Sequence, residues 1–240
     1  MRVLMSIGGP TVFETEAPAD EILIGTVNGV VWLRRAGPGE PWRESHRALA
    51  GKHISNLVED PESGRLFAGT HGDGIHASDG GGRTWQRKDR GVAHANIFSM
   101  SAVRAADGSR VYAGTEPAHL FVSRDHGETW EELPALRSVP TVKDWMFPAP
   151  PHVAHVKHIT FDPRSADTIY AGVEVGGGLK STDGGQSWRQ LSGFDHDVHR
   201  MVVTAARPDD VFMGTGIGIY HSADAGETWH PYEGGPDETY

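Results

Sequence analysis

The fold of this chain is decided by the octet Ser123-Arg-Asp-His-Gly-Glu-Thr-Trp130. The octet recurs as Ser181-Thr-Asp-Gly-Gly-Gln-Ser-Trp188 and as Ser222-Ala-Asp-Ala-Gly-Glu-Thr-Trp229. A fourth copy, Ser78-Asp-Gly-Gly-Gly-Arg-Thr-Trp85, carries either one extra residue or a shifted Asp, and a fifth, Arg35-Ala-Gly-Pro-Gly-Glu-Pro-Trp42, keeps only Gly and Trp. A motif that recurs along a chain indicates a repeat architecture.

A second motif gives the length of the repeat. Short apolar runs end in Ile24-Gly-Thr26, Ala68-Gly-Thr70, Ala113-Gly-Thr115, Ala171-Gly-Val173 and Met213-Gly-Thr215. The last residues of these tripeptides follow one another after 44, 45, 58 and 42 positions. This spacing is close to the roughly 40–50 residues of one four-stranded propeller blade.

Each repeat reads as four short strands, which are labelled A to D. In the fourth repeat we predict strands at 155–161, 168–173, 178–181 and 188–191, because β-branched and aromatic residues alternate with Gly, Asp and Pro turns. We expect almost no helix, since no long segment has a period of 3.6 residues. The prediction is an all-β propeller of five blades, at about 1–48, 49–92, 93–136, 137–193 and 194–240.

The ends of the chain leave two arrangements open. In the first, residues 1–17 supply strand A of the first blade and five blades close into a ring. In the second, the chain is a truncated form of a six- to eight-bladed ring. An unclosed ring would expose sheet edges, which favour association with other chains, so an oligomer is possible in that case.

The octet is predicted to form the turn between strands C and D. Gly127, Gly185 and Gly226 tolerate the positive φ of a tight turn. The Asp carboxylate can accept hydrogen bonds from N–H groups of its own turn, and Trp can fill the space between neighbouring sheets. Several identical turns cannot all form one active site, so we interpret these aspartates as structural.

These repeats resemble the Asp-box, or bacterial neuraminidase repeat (BNR), superfamily of β-propellers, from about Glu21 to Trp229. The superfamily contains sialidases, sortilin-type receptors, xyloglucanases and a photosystem II assembly factor. The resemblance implies a propeller but no particular chemistry. A true sialidase is not expected, because the chain lacks the early Phe/Tyr-Arg-Ile-Pro motif and the arginine triad of those enzymes.

Composition excludes several classes of function. The 240 residues carry a formal net charge of −10, which argues against general nucleic-acid binding. No run of 18 apolar residues is present, so no membrane-spanning segment is expected. The chain has no cysteine, which excludes disulfides and thiol chemistry. The short apolar part of the N-terminus is unlike a signal peptide, so a cytoplasmic location is expected.

Candidate functional residues lie on the face opposite the octets. Because strands alternate in direction, the D–A and B–C connections share that face, and strand A of each blade begins at the mouth of the central channel. A histidine lies at or near this start in four blades, as His53, His94, His155 and His199. Just after strand B come His71, Glu116 and Glu174 in blades two to four, and Val27 and Gly216 in the other two.

Imidazole and carboxylate groups together favour a divalent transition metal such as Zn, Fe, Cu, Ni or Mn. We predict His53, His71, His94, His155 and His199 as metal ligands, with His152, His158 and His196 as substitutes. Glu174, Glu116 and Asp197 are predicted as catalytic or supporting groups. The alternative is that these side chains only hydrogen-bond to one another and to nearby backbone.

Three functions remain open at this stage. The first is a metal-dependent enzyme or metal-centred binding protein that takes a small-molecule or carbohydrate ligand. The second is a glycoside hydrolase-like or carbohydrate-binding protein using two of the carboxylates. The third is a non-enzymatic scaffold for protein interactions. The long D–A connection at 134–154, with Trp145 and Phe147, is predicted either to wall the channel mouth or to pack on a neighbouring blade.

Overall fold

The computed structural model describes residues 2–9 and 18–233. They form five four-stranded sheets, which confirms the prediction of an all-β propeller with five blades in this chain. The strands are β1 (Arg2–Met5), β2 (Glu21–Thr26), β3 (Gly29–Arg34), β4 (Arg43–Ala48), β5 (Ile54–Glu59), β6 (Leu66–Thr70), β7 (Ile75–Ser78), β8 (Gln86–Arg87), β9 (Asn96–Ala105), β10 (Gly108–Glu116), β11 (Leu120–Ser123), β12 (Glu131–Glu132), β13 (Val156–Asp162), β14 (Ser165–Val173), β15 (Gly177–Ser181), β16 (Arg189–Gln190), β17 (Val198–Thr204), β18 (Arg207–Thr215), β19 (Gly218–Ser222) and β20 (His230–Pro231).

Blades two to five are antiparallel throughout, with consecutive strands paired in order. Strands of the fourth blade lie within a few residues of the predicted bounds, and its strand B starts earlier, at Ser165. Helical structure in the described residues is confined to two short 3₁₀ helices, Pro134–Ser138 and Pro140–Asp144. Each begins with a proline, whose fixed φ suits the first position of a helix.

The first blade differs from the other four. Its innermost strand, β1, runs parallel to β2, with Arg2 opposite Glu21 and Met5 opposite Ile24. A strand from the predicted segment 1–17 therefore takes the position of strand A, but in the opposite direction to strand A elsewhere. Residues 10–17 of that segment lie outside the described residues.

The hydrophobic core consists of clusters between successive blades. Four clusters of buried side chains join blades one to two, two to three, three to four and four to five. Phe67, Tyr112 and Tyr170 occupy equivalent positions in strand B of blades two to four and are fully buried. The equivalent Phe212 of blade five is only half-buried. Within residues 2–9 and 18–233, none of the clusters joins blade five to blade one.

The octets form the C–D turns and satisfy their own polar groups, as predicted. In blade three, Oγ of Ser123 donates to Asp125 Oδ1 at 2.8 Å and accepts the N–H of Gly127 at 2.8 Å. The N–H of Thr129 donates to the same carboxylate at 2.9 Å. The octets of blades four and five repeat this pattern. These aspartates are therefore committed to their turns.

The fourth copy settles the alternative left open for it. Oγ of Ser78 accepts the N–H of Gly82 at 2.8 Å, which is the same contact over the same spacing as in the other octets. Gly80 then stands in the Asp position, and the carboxylate of Asp79 instead accepts a hydrogen bond from Arg65 at 2.6 Å. The Asp is thus shifted by one place, and no residue is inserted.

The two faces of the disc carry the predicted sets of connections. On one face, His126 of the blade-three octet contacts Asp60 of the blade-two A–B turn at 2.6 Å. On the other, the residue after strand B donates its N–H to the carbonyl before strand A in blades two, four and five. In the described part of the chain, no helix is long and apolar enough to cross a membrane.

Candidate functional site

The start of strand A is defined by how it pairs with the end of strand B. Ile54, Ile97, Val156 and Val198 pair with Thr70, Thr115, Val173 and Thr215. The residues just before them are therefore equivalent, and these are His53, Asn96, His155 and Asp197. His94 and His199 lie near the start of strand A, as predicted, but two residues before and two residues after the equivalent position, which Asn96 and Asp197 hold.

In each of these four strands A, a β-bulge follows the Ile or Val that pairs with the end of strand B. The pairing register shifts between Ile54 and Asn56, Val156 and His158, and Val198 and Arg200, and at the corresponding point of blade three. The strand register skips Ser55, Phe98, Lys157 and His199. All four line one cavity of about 180 Å³ at the channel mouth. Bulges re-aim side chains and are common beside functional sites, so this cavity is the candidate site.

Blade four supplies a buried ion-pair network to the site. Nε2 of His155 and Nζ of Lys157 each lie 2.6 Å from Oε2 of Glu174. Burial raises the pKa of Glu174, but the hydrogen bonds from His155 and Lys157 outweigh it and lower the pKa to about 2. Glu174 is therefore an anion at all physiological pH values.

His155 is held rather than exposed. Its ring stacks on Phe98 at a centroid distance of 3.8 Å and contacts Phe147 at 5.1 Å, and only 1% of the residue is exposed. Nδ1 makes no hydrogen bond within the described residues and lies 3.7 Å from a carboxylate oxygen of Glu116. His155 thus orients Glu174 and is closed off from solvent.

Blade five brings two more ionisable groups to Glu174. Nε2 of His199 lies 3.2 Å from Oδ1 of Asp197 and 4.0 Å from Oε1 of Glu174. One ligand atom from each of these three residues lies within 4.8 Å of the other two. In the described part of the chain this is the group with the spacing and chemistry to share a metal ion.

Two other predicted ligands, His53 and His71, form a pair of tilted rings on the cavity wall. Their ring centroids are 4.5 Å apart, and the edge of Phe98 contacts His71 at 4.4 Å. Burial lowers the pKa of His71 to about 4, with further lowering from His53, His155 and Lys157. His71 is therefore a neutral imidazole at pH 7.

The remaining predicted residues belong to neighbouring contacts. The ring of His94 contacts the tilted ring of His119 at a centroid distance of 4.3 Å, and His119 in turn contacts Glu132 at 2.6 Å. Glu116 accepts a hydrogen bond from Asn96 at 3.2 Å. The structure thus brings His53, His71, His155, His199, Glu174 and Asp197 to the mouth, and it places His94 in a separate histidine pair.

The long D–A connection was predicted either to wall the channel mouth or to pack on a neighbouring blade, and it has contacts of both kinds. Trp145 packs against the buried cluster between blades three and four, and the N–H of Met146 donates to the carbonyl of Val175. Phe147 covers the ring of His155. The connection is therefore anchored on blade four and forms part of the wall behind the site.

Three residues of the site carried no motif signal in the sequence. Lys157 and Phe98 reach the cavity because they are bulged, and Arg200 follows the bulged His199. A usable signal does exist: each strand A starts with His, Asn or Asp followed by Ile or Val. Aligning the repeats on that dipeptide would have identified Asn96 and Asp197 and placed Lys157, Phe98 and His199 in register.

Comparison with known proteins agrees with this architecture. A family model described as BNR/Asp-box repeat matches residues 121–132, which include the blade-three octet. The chain is a β-propeller that contains a BNR/Asp-box repeat. The propeller is 26% identical over 142 residues to an oligoxyloglucan-reducing end-specific xyloglucanase of Emericella nidulans, a match that covers 53% of this chain and 16% of that enzyme.

Solved structures show the same fold at low identity. A GH74 xyloglucanase from Xanthomonas campestris superposes with a TM-score of 0.61 and 18% identity, over 89% of the propeller and 36% of that chain. YCF48 from Cyanidioschyzon merolae superposes with a TM-score of 0.52 and 15% identity, over 85% of the propeller and 64% of that chain. The propeller thus spans only part of the length of each relative, and the similarity concerns the fold.

Proposed function

We propose that the protein binds a small ligand at the axial mouth, at a centre organised by a divalent transition metal ion. The ion would be held by Glu174, Asp197 and His199. The observation that carries the proposal is the convergence of these three side chains, with ligand atoms within 4.8 Å of one another, at the edge of a cavity lined by four bulged residues.

The chemistry of the three groups suits such an ion. Two carboxylates and one imidazole are ligands that Mn, Fe and Zn accept, at about 2.0–2.2 Å for zinc. Glu174 needs no deprotonation at neutral pH, since its pKa is about 2. Its other oxygen is fixed by His155 and Lys157, and supporting contacts of this kind orient metal ligands. Three protein ligands leave positions open for a bound molecule.

The experiment is calorimetric titration of metal-stripped, tag-free protein with Zn²⁺ and with Mn²⁺. We expect one ion per chain and a rise in melting temperature on binding. Asp197→Asn should weaken binding at least tenfold. His94→Gln, which changes a histidine of the separate His94–His119 pair, should leave it unchanged.

Two results would contradict the proposal. One is that neither Zn²⁺ nor Mn²⁺ binds stoichiometrically. The other is equal affinity in the wild type and in Asp197→Asn. Weakened binding in His94→Gln would instead favour the all-histidine ligand set predicted from the sequence.

A glycoside hydrolase-like activity is the second candidate, and the 26% identity to a xyloglucanase favours it. Glu174 and Asp197 would be the two carboxylates that such chemistry needs. Because its low pKa keeps Glu174 ionised, it would act as base or nucleophile, and the proton would come from another group. Release of reducing sugar from xyloglucan oligosaccharides, abolished by Glu174→Gln, is the expected result. Absence of release by the wild type rejects this candidate.

A further inference from the structure

The cavity at the axial mouth has a wall of basic side chains. His53, His71, Lys157, His199 and Arg200 all line it, and its described lining contains no Asp or Glu. This is unusual in a chain whose formal net charge is −10. The cavity therefore concentrates hydrogen-bond donors and positive charge at one place on an acidic protein.

Within residues 2–9 and 18–233, Arg200 is the basic group of the cavity with no carboxylate partner among its hydrogen bonds. Its described hydrogen bonds go to backbone carbonyls, those of Ile7 at 2.7 Å and Gly9 at 2.9 Å. A carbonyl accepts a hydrogen bond but brings no negative charge, and burial lowers the pKa of Arg200. A guanidinium has five N–H donors in a planar fork, so donors remain for a further partner.

The other basic groups differ in how far they are compensated. Lys157 and His199 contact the carboxylates of Glu174 and Asp197. The ring contacts of His53 and His71 are with each other and with Phe98. The cavity wall thus combines two paired cations with an arginine and two imidazoles that have no carboxylate within ion-pair distance in the described residues.

We propose that this cavity binds a small oxyanion, the carboxylate or phosphate group of a small organic ligand. Arg200 and Lys157 would bind the oxyanion, and His53 and His71 would donate further hydrogen bonds to it. The inference deepens the proposed function and rests on it in one respect, that the axial mouth is the ligand site. It does not require a metal ion.

Size and electrostatics are consistent with this ligand class. A cavity of about 180 Å³ is comparable with the roughly 150 Å³ of an engineered cavity that holds benzene, so it admits a ligand of monosaccharide size or smaller. Arginine binds carboxylate and phosphate through two parallel N–H bonds. Burial and, secondarily, its basic neighbours lower the pKa of His71, so its ring is neutral and can donate one N–H bond to an anion.

The test is a set of calorimetric titrations of metal-stripped protein at constant ionic strength. The ligands are inorganic phosphate, acetate and D-glucuronate, with D-glucose as the neutral control. We expect saturable binding of phosphate or of the carboxylates, and none of glucose. Which anions bind identifies the oxyanion as phosphate or carboxylate.

Two variants locate the binding. Arg200→Met should weaken anion binding at least tenfold, and His53→Gln should weaken it several-fold. Because Arg200 also ties residues 7 and 9 to blade five, a melting curve must show that Arg200→Met is folded. His53→Gln keeps the proposal testable if it is not. His94→Gln is the matched control, because it removes an imidazole from the His94–His119 pair.

The inference is overturned if no anion binds saturably, if glucose binds as well as glucuronate, or if folded Arg200→Met and His53→Gln both bind anions like the wild type. Zinc binding without anion binding rejects this inference and keeps the proposed metal centre. Anion binding without binding of Zn²⁺ or Mn²⁺ supports the inference and rejects the metal centre.

Discussion

The fourth blade carries a carboxylate at each end of its strands, and the two differ in how they are bound. Asp183 lies in the octet and Glu174 at the channel mouth, and both have a pKa of about 2. The pKa of Asp183 is lowered chiefly by hydrogen bonds from the hydroxyl and N–H of Ser187, four residues away. Glu174 is held by His155 and Lys157 on another strand and faces His199 on another blade.

This difference separates a structural carboxylate from a candidate functional one. Every partner of Asp183 within its turn comes from the same eight residues, so the octet can form wherever its sequence occurs. Glu174 depends on the assembled propeller, and the neighbouring Asp197 retains a buried oxygen without a hydrogen bond in the described residues. Equal pKa values therefore do not indicate equal roles. The groups that cause the shift distinguish a structural carboxylate from a functional one.

The largest effect is expected where one blade packs under the octet of the next. Phe67→Ala should lower the free energy of unfolding by about 3–5 kcal/mol, because the ring is fully buried between blades two and three. Phe212→Ala changes the equivalent, half-buried residue of blade five and should cost about 1–2 kcal/mol, since a partly exposed ring loses less apolar burial. Urea unfolding measures both, and equal losses would contradict the difference in burial between Phe67 and Phe212.

The octet glycine should come next in effect. Gly127 has a φ of 83°, and a Cβ there would lie 2.2 Å from Cε1 of Phe67. Gly127→Ala should therefore cost about 2–4 kcal/mol from backbone strain and overpacking together. Gly39 has a similar φ of 86° with open space around it, so Gly39→Ala should cost only about 1 kcal/mol. Thermal or urea unfolding of the pair isolates the packing contribution.

Removing the charge of an octet aspartate should have a smaller effect that depends on pH. Asp183→Asn should cost about 1 kcal/mol at pH 7, since the hydrogen bonds lie near solvent. The folded pKa of Asp183 lies below its unfolded value of about 3.9, so its contribution is present above that value and disappears as pH falls toward 2. Unfolding curves of wild type and variant should therefore converge between pH 4 and pH 2.

Asp79→Asn is the control for that prediction. Asp79 stands one place away from the Asp position of its octet and pairs with Arg65 at the surface. The change should alter stability by less than about 0.5 kcal/mol at any pH in this range. A loss as large as that of Asp183→Asn would mean that the position within the octet does not matter.

Local signals in the sequence were sufficient for the fold. The octet and the Gly-Thr tripeptide specify turns and strand ends through residues that lie next to one another in the sequence. For this reason the blade count and the face that carries the octets could be predicted. The parallel pairing of β1 could not, because Arg2–Met5 and Glu21–Thr26 contain no feature that fixes the direction of pairing.

The site was predictable only in part, because its geometry is not local. His53, His155 and Glu174 follow from the repeat register, and they do lie at the mouth. Lys157 and Phe98 line the cavity because a bulge turns them inward, and a bulge is set by the pairing of two strands. His94 lies two residues before the position that Asn96 holds, and its ring contacts His119 instead of entering the cavity, which the sequence near a strand start does not reveal.

The smallest effect on stability is expected at the mouth, at Asp197. Asp197→Asn should change the free energy of unfolding by less than about 0.5 kcal/mol or raise it slightly. The contact of Asp197 Oδ1 with Nε2 of His199 at 3.2 Å lacks hydrogen-bond geometry, and the side chain lies near the charged Glu174. Replacing the carboxylate therefore removes a weak attraction to His199 together with a repulsion from Glu174, and the two largely cancel. The same variant should lose the proposed metal affinity. Urea unfolding beside Asp183→Asn is the measurement, and a loss equal to that of Asp183→Asn would make Asp197 a structural residue like the octet aspartates. If Asp197→Asn leaves the free energy of unfolding unchanged or raises it, the carboxylate at the channel mouth does not stabilise the fold. Residues of binding sites commonly show this behaviour.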